Sequence, residues 1–233
     1  MPGRKDNESM ITYTLHRSKR KTIGLYVRHG KVEVRAPLKV SQSDIDKIVA
    51  SKEAWITQKL AESSARQEQR GTFALNYGDM VLYGGQAYPL VAKTGNRVGF
   101  DGERFFMPPG LTAERIKPAC VQIYRMLAKS DLTNKVLDLA KRMGVMPSAV
   151  KINGAITRWG SCSGKKSLNF SWRLILAEQD VVDYVVVHEL AHITEMNHSE
   201  RFWAIVAGML PEYKERQQRL KTLQKKLSTE DWD

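Results

Sequence analysis

The chain has 233 residues, 42% of them hydrophobic and 27% charged, the make-up of a soluble globular protein with room for one large domain or two small ones. It has no apolar run of roughly 18 residues that would span a bilayer, no apolar signal segment in its polar start MPGRKDNESM, and only two cysteines, Cys120 and Cys162. That pattern excludes a membrane protein and a disulfide framework, and a cytoplasmic protein is expected.

Taken in chain order, ITYTLHR, KTIGLYV and KVEVRAP between residues 11 and 37 read as short strands, with RHGK as the turn between the last two. After Pro37 the pattern turns helical: Ile45, Ile48, Val49 and Ile56 recur at helical spacing, with Ser43 as the expected N-cap. A second strand group is expected from about Asp79 to Met107, punctuated by YGGQ, KTGN and FDGE, and MPPG at 107–110 is the expected boundary. Beyond it a helix is expected, interrupted or restarted near Pro118 and capped by Gly144. AVKING, TRWGSCSGKKS and LNFSWRLIL then read as strands and a loop, the last as an edge strand. The expected organisation is a β-rich region with one long helix over residues 1–110 and an α+β domain over 111–233.

VVDYVVVHELAHITEMNH is locally ambiguous, because its valines favour a strand. Three of the five histidines fall here within eleven residues, as His188, His192 and His198. Imidazoles four apart share a face only on a helix, so a helix over about 180–195 is expected, with Asp180 as N-cap. His188 and His192 can then point at one zinc ion, and Glu189 stands beside the metal, placed to take a proton from water. A catalytic zinc takes three protein ligands. Glu195 lies about 10 Å along the axis from His188 at roughly 1.5 Å per residue, too far to join it. His198 fits if the chain leaves the helix near Met196–Asn197, with Asn197 supplying a left-handed turn. Cys162 is the alternative extra ligand, but it would close the position that water needs.

Around this centre, Gly160 reads as an unusual backbone turn, and Arg158, Ser161 and Arg173 as substrate-binding donors. Phe202, Trp203, Val206 and Leu210 recur at helical spacing, as core packing that pins the loop holding His198. The hydroxyl of Tyr213 is a further candidate to stabilise a tetrahedral intermediate.

RWGSCS, LNFSWRLILA, DYVVVHELAH, NHSERFW and MLPEYKERQQRLK, together with RSKRKTIGLYVRHGKVEVRAP, SKEAWITQKL and LYGGQAYPL, resemble the YgjP-like metal-dependent hydrolase family. That family is placed with the zincin metallopeptidases, near SprT-like and Wss-type proteases. The resemblance implies a zincin-like α+β domain with its HExxH helix packed on a small sheet, zinc on His188, His192 and His198, and Glu189 as general base. One departure is Glu178, where the family often has proline.

Two functions follow from these expectations. The first is a zinc-dependent metallopeptidase acting on a peptide or protein. The second is a zinc-dependent nucleoside triphosphate pyrophosphatase or phosphohydrolase, with Arg158, Lys165 and Lys166 near the phosphates. Lysine and arginine outnumber aspartate and glutamate 37 to 25, for a net charge of +12. This admits a nucleic-acid-associated protease or simply a solvated basic surface. The basic residues gather at 16–21, 164–167 and 214–227.

Overall fold

The computed structural model describes residues 11–28 and 30–232, so the polar start and His29 of the expected turn lie outside the described residues. The chain divides into two compact units, Met1–Phe73 with Ser228–Glu230, and Ala74–Leu227 with Asp231–Asp233.

In the first unit the three expected strands form as β1 (Tyr13–Ser18), β2 (Gly24–Arg28) and β3 (Lys31–Pro37), in the order β1-β3-β2. β3 runs parallel to β1 and antiparallel to β2. Alternation along β3 sends Val32, Val34 and Ala36 to one face, where they pack on Ile45, Val49 and Ile56. Those three residues belong to α1 (Gln42–Ser51) and α2 (Glu53–Thr72). The N-cap of α1 is Ser41, not Ser43: the Ser41 hydroxyl accepts from the Asp44 N–H at 3.1 Å.

The second unit begins earlier than residue 111. Its first sheet, order β4-β5-β7-β6, holds β4 (Met80–Tyr83), β5 (Gln86–Ala92), β6 (Gly99–Phe100) and β7 (Phe105–Met107). This strand group, expected with the N-terminal region, packs instead on the 31-residue helix α3 (Ala113–Met143). Phe105 sits 5.3 Å from the Tyr124 ring, and the Tyr124 hydroxyl donates to the Leu82 carbonyl at 2.7 Å. α3 continues through Pro118, which forgoes one backbone hydrogen bond. It ends at Gly144 with φ 66°, the left-handed cap that residue type favours.

The second sheet, order β8-β10-β9, joins β8 (Ala149–Asn153), β9 (Gly160–Cys162) and β10 (Ser167–Ser171). LNFSWRLIL is therefore not an edge strand. Its first half is the central strand β10, and its second half is a 3-10 turn over Trp172–Leu176, opened by Ser171 and buried throughout. Trp172 stacks on Tyr124 at 5.2 Å and meets Trp232 edge-on, which makes an aromatic core. α4 (Gln179–Ala191), α5 (Glu200–Met209) and α6 (Tyr213–Leu227) complete the unit. No helix among the described residues is long and apolar enough to cross a membrane.

Candidate metal centre

α4 is a helix despite its valines because it is wrapped on all sides: Val181, Val182, Val185, Val186 and Val187 are all buried. A helix apolar all round is stable in an interior whatever its intrinsic propensity. Its N-cap is Glu178, not Asp180, and Glu178 makes no side-chain cap. Asp180 lies in the first turn, where Arg219 of α6 grips it with two hydrogen bonds of 2.7 Å each. Arg219 also pairs with Glu178, and Arg216 approaches Asp180 at 3.4 Å. Two of the basic residues gathered at 214–227 are thus used inside the fold.

The helix ends at Ala191, earlier than expected, and His192 caps it with helical angles (φ −65°, ψ −17°). His188 and His192 therefore still stand one turn apart on one face. A tight turn follows, with N–H groups of Thr194 and Glu195 both donating to the Ala191 carbonyl. Asn197 is not left-handed: Lys166 is the one non-glycine residue of positive φ among those described. The chain is redirected instead by the start of α5, whose N-cap Ser199 accepts from the Phe202 N–H at 3.3 Å. His198, directly before that cap, is held in place by it.

The three imidazoles converge. Nε2 of His198 is 3.0 Å from Nε2 of His188, and one ligand nitrogen from each of the three residues lies within 4.8 Å of the others. Two nitrogens bound at about 2.0–2.1 Å in tetrahedral array stand roughly 3.3 Å apart, so the donor set fits a zinc-sized ion with small adjustment. His192 Nδ1 and the Glu195 carbonyl are 3.1 Å apart. With the proton on Nδ1 that contact is a hydrogen bond and leaves Nε2 as a free ligand, while Glu195 serves through its backbone. Burial, then the neighbouring His192 and His198, push His188 down to about 4. Burial also lowers His192. Both are neutral at pH 7, as metal ligation requires. His188 Nδ1 is buried without a hydrogen-bond partner.

Phe202 forms the floor. Fully buried, its ring lies 4.9, 4.5 and 4.7 Å from the rings of His188, His192 and His198. Trp203 flanks His198 at 5.8 Å and stacks on Tyr213 at 5.2 Å, and Tyr213 in turn stacks on Tyr184. Tyr213 thus belongs to an aromatic wall beside the histidines.

Glu189 is 6% exposed, and burial pushes its carboxyl up to about 7. β9 lies against it. Gly160 has no positive φ, so the reason for glycine there is space, and this the sequence reading missed. A Cβ at Gly160 would stand 2.7 Å from both Cγ and Oε1 of Glu189. Cys162, two residues on, is half-buried and lies outside the histidine cluster. Its thiol is raised by burial and by the charge of Glu189.

Of the expected substrate donors, Ser161 lies on β9 between Gly160 and Cys162, and Arg158 is exposed just ahead of it. Arg173 is elsewhere in character: 6% exposed, it donates to the Gly154 carbonyl at 2.8 Å and stacks on Trp172. Lys165 and Lys166 occupy the β9–β10 turn.

Three imidazoles whose ligand nitrogens lie within 4.8 Å of one another could hold one metal ion, as a metal-dependent hydrolase requires. The sequence model of the YgjP-like, metallopeptidase domain matches residues 21–223, and the chain belongs to the YgjP-like metallopeptidase family. It is a family of metal-dependent peptidases, so the substrate is a peptide or protein. No curated protein matches the chain. Among solved structures it is similar to the metallopeptidase zymogen abylysin of Pyrococcus abyssi, with 23% identity, TM-score 0.37, and 39% of this chain and 91% of that one covered. It is likewise similar to the zymogen jannalysin of Methanocaldococcus jannaschii, with 22% identity, TM-score 0.36, and 41% and 96% covered.

Proposed function

We propose that the protein is a zinc peptidase in which His188, His192 and His198 hold the ion and Glu189 is the general base. The convergence of the three imidazoles within 4.8 Å carries this reading. An all-imidazole set suits zinc better than it suits calcium or magnesium, which favour oxygen. Bound there, zinc supplies a Lewis acid for the scissile carbonyl and makes water acidic enough to give up a proton near neutral pH.

The remaining work falls to the chain's own residues. Glu189 takes that proton on a carboxylate oxygen and passes it to the departing amine nitrogen. A carboxyl near pH 7 both accepts and returns a proton readily, and its burial supplies that value. The peptide lies along β9, an outer strand of its sheet. Ser161 and Arg158 then fall along the bound chain. Arg173, committed to Gly154 and Trp172, serves packing.

The test compares zinc content and peptide hydrolysis of the wild type with Glu189→Gln, His198→Ala and Cys162→Ser. Glu189→Gln keeps zinc and loses roughly 100- to 10,000-fold in turnover. His198→Ala loses zinc, and Cys162→Ser keeps both. Full activity in Glu189→Gln, or zinc retained at full affinity in His198→Ala, would overturn the assignment.

A further inference from the structure

The first unit carries a sheet face that the peptidase reading does not use. Strand alternation turns Tyr13, Leu15, Leu25, Val27, Val32 and Val34 toward α1 and α2. The residues between them point the other way. Register sets Tyr26 opposite Glu33, Arg35 opposite Gly24, and Arg28 opposite Lys31 on this outward face. The guanidinium carbons of Arg28 and Arg35 lie 5.3 and 5.1 Å from the centre of the Tyr26 ring.

Arg20 joins them. A Cβ at Gly24 would stand 2.9 Å from Cε2 and the hydroxyl oxygen of Tyr26 and 3.1 Å from an Arg20 terminal nitrogen, so both side chains lie across the bare backbone of Gly24. Arg20 Nε is buried and has no hydrogen-bond partner. Glu33 is the sole acid on the outward side of these strands, and Arg35 holds it at 2.5 Å. Arg20, Arg28 and Arg35 therefore lie against one aromatic ring, Lys31 adds a fourth positive charge on the same face, and Glu33 offsets one of the four.

We infer that this face is a docking surface for single-stranded nucleic acid. The charge calls for a polyanion. The ring and the guanidinium planes supply stacking platforms for bases, which an acidic peptide would leave unused. Duplex is disfavoured by shape: a groove about 12 Å wide admits one helix or a two-stranded ribbon, and this is a three-stranded sheet backed by helices. The surface spans roughly 20 Å along the strands and 10 Å across them, room for a few nucleotides.

The test is a fluorescence anisotropy titration of the full chain with a labelled 12-nucleotide oligo(U) and oligo(dT). Raising salt from about 50 to 200 mM should weaken binding roughly 20- to 50-fold, as three or four neutralised phosphates require. Tyr26→Ala should weaken it roughly 5- to 100-fold while Tyr26→Phe keeps it, the signature of stacking. Arg28→Ala with Arg35→Ala should remove most of the affinity. Lys214→Ala with Lys221→Ala, which deletes the same charge from exposed positions of α6, should not. Gly24→Val should act like Tyr26→Ala by displacing the ring, and circular dichroism checks that each variant folds. No binding at low salt, equal loss from the α6 pair, equal affinity for duplex, or displacement by poly-glutamate of matching charge would each overturn the inference.

Discussion

The α-carbon of Gly160 faces the carboxylate of Glu189 so closely that a methyl group there would stand 2.7 Å from Oε1 and 2.9 Å from Cδ. A strand and a helix thus meet where the proposed base sits. β9 approaches α4 to this distance only because residue 160 has no side chain. Gly160→Ala is expected to displace the carboxylate, leaving the three imidazoles in place. Turnover should fall on the order of 100-fold, the usual cost of about 1 Å of misplacement. Zinc content should stay at the wild-type level. Measuring both separates a shifted base from a lost metal.

The burial that raises Glu189 also has a consequence for stability, most readily seen in protein stripped of metal by a chelator. The folded carboxyl sits at about 7 against 4.5 in its ordinary state. Below pH 4.5 both folded and unfolded chains hold the proton, and there is no penalty. As pH rises from 4.5 to 7 the unfolded chain releases its proton first, so stability falls across that window and levels off above it. Glu189→Gln does not titrate and carries no such penalty. The stripped variant is expected to match the stripped wild type near pH 4 and to exceed it by on the order of 1–3 kcal/mol at pH 8. Urea unfolding at the two pH values checks this. A constant difference would mean that the carboxyl is not raised.

Phe202 touches each of the three rings and is fully buried, so it couples packing to ligand position. Phe202→Leu keeps an apolar side chain but leaves a small void, at a cost of about 1–2 kcal/mol. Because the void opens directly under the imidazoles, zinc affinity should drop along with the melting temperature. A variant of α5 away from the rings, Val206→Ala, should lower the melting temperature by a similar amount with less effect on zinc. Competition titration with a chromophoric chelator distinguishes the two.

The sequence disclosed the histidine cluster better than the scaffold around it, for a physical reason. Histidines four apart on a helix, and a third six residues on, are brought together by local geometry. His188, His192 and His198 could therefore be grouped before any fold was known, and the same chemistry overrode the strand propensity of five valines. What local pattern could not show was which surfaces meet. Within residues 80–107 YGGQ and FDGE do turn hairpins, but KTGN does not, since β5 runs parallel to β7, and the place of the sheet on α3 depends on long-range contacts such as Tyr124 with Leu82. LNFSWRLIL looked like one strand, yet Ser171 caps a 3-10 turn midway, because the tryptophan there turns inward to stack on Tyr124. Gly160 signalled itself as a glycine, but its reason lay 29 residues away.

The entrance to α4 offers the last prediction, through two residues that the sequence set apart for different reasons. Gly84 and Gly85, from the hairpin turn YGGQ, donate their N–H groups to the carbonyls of Ile175 and Leu176 at 2.8 and 3.2 Å. Gly85 has φ 80°, and a Cβ on it would lie 2.4 Å from Cγ and 3.1 Å from Cα of Glu178. Gly85→Ala therefore meets both backbone strain and a collision at the N-cap of the histidine-bearing helix. It should cost about 2–3 kcal/mol and lower turnover as α4 shifts. Glu178→Pro is expected to behave oppositely. Glu178 has φ −60° and Ala177 has ψ 159°, both suited to proline and its predecessor. The partly exposed pair with Arg219 is lost, but Arg219 keeps Asp180. The two effects nearly offset, so the melting temperature of Glu178→Pro should move by no more than a few degrees, the equivalent of about 1 kcal/mol in a chain this size. A large drop in this variant would show that Glu178, and not the backbone it occupies, secures the start of the helix.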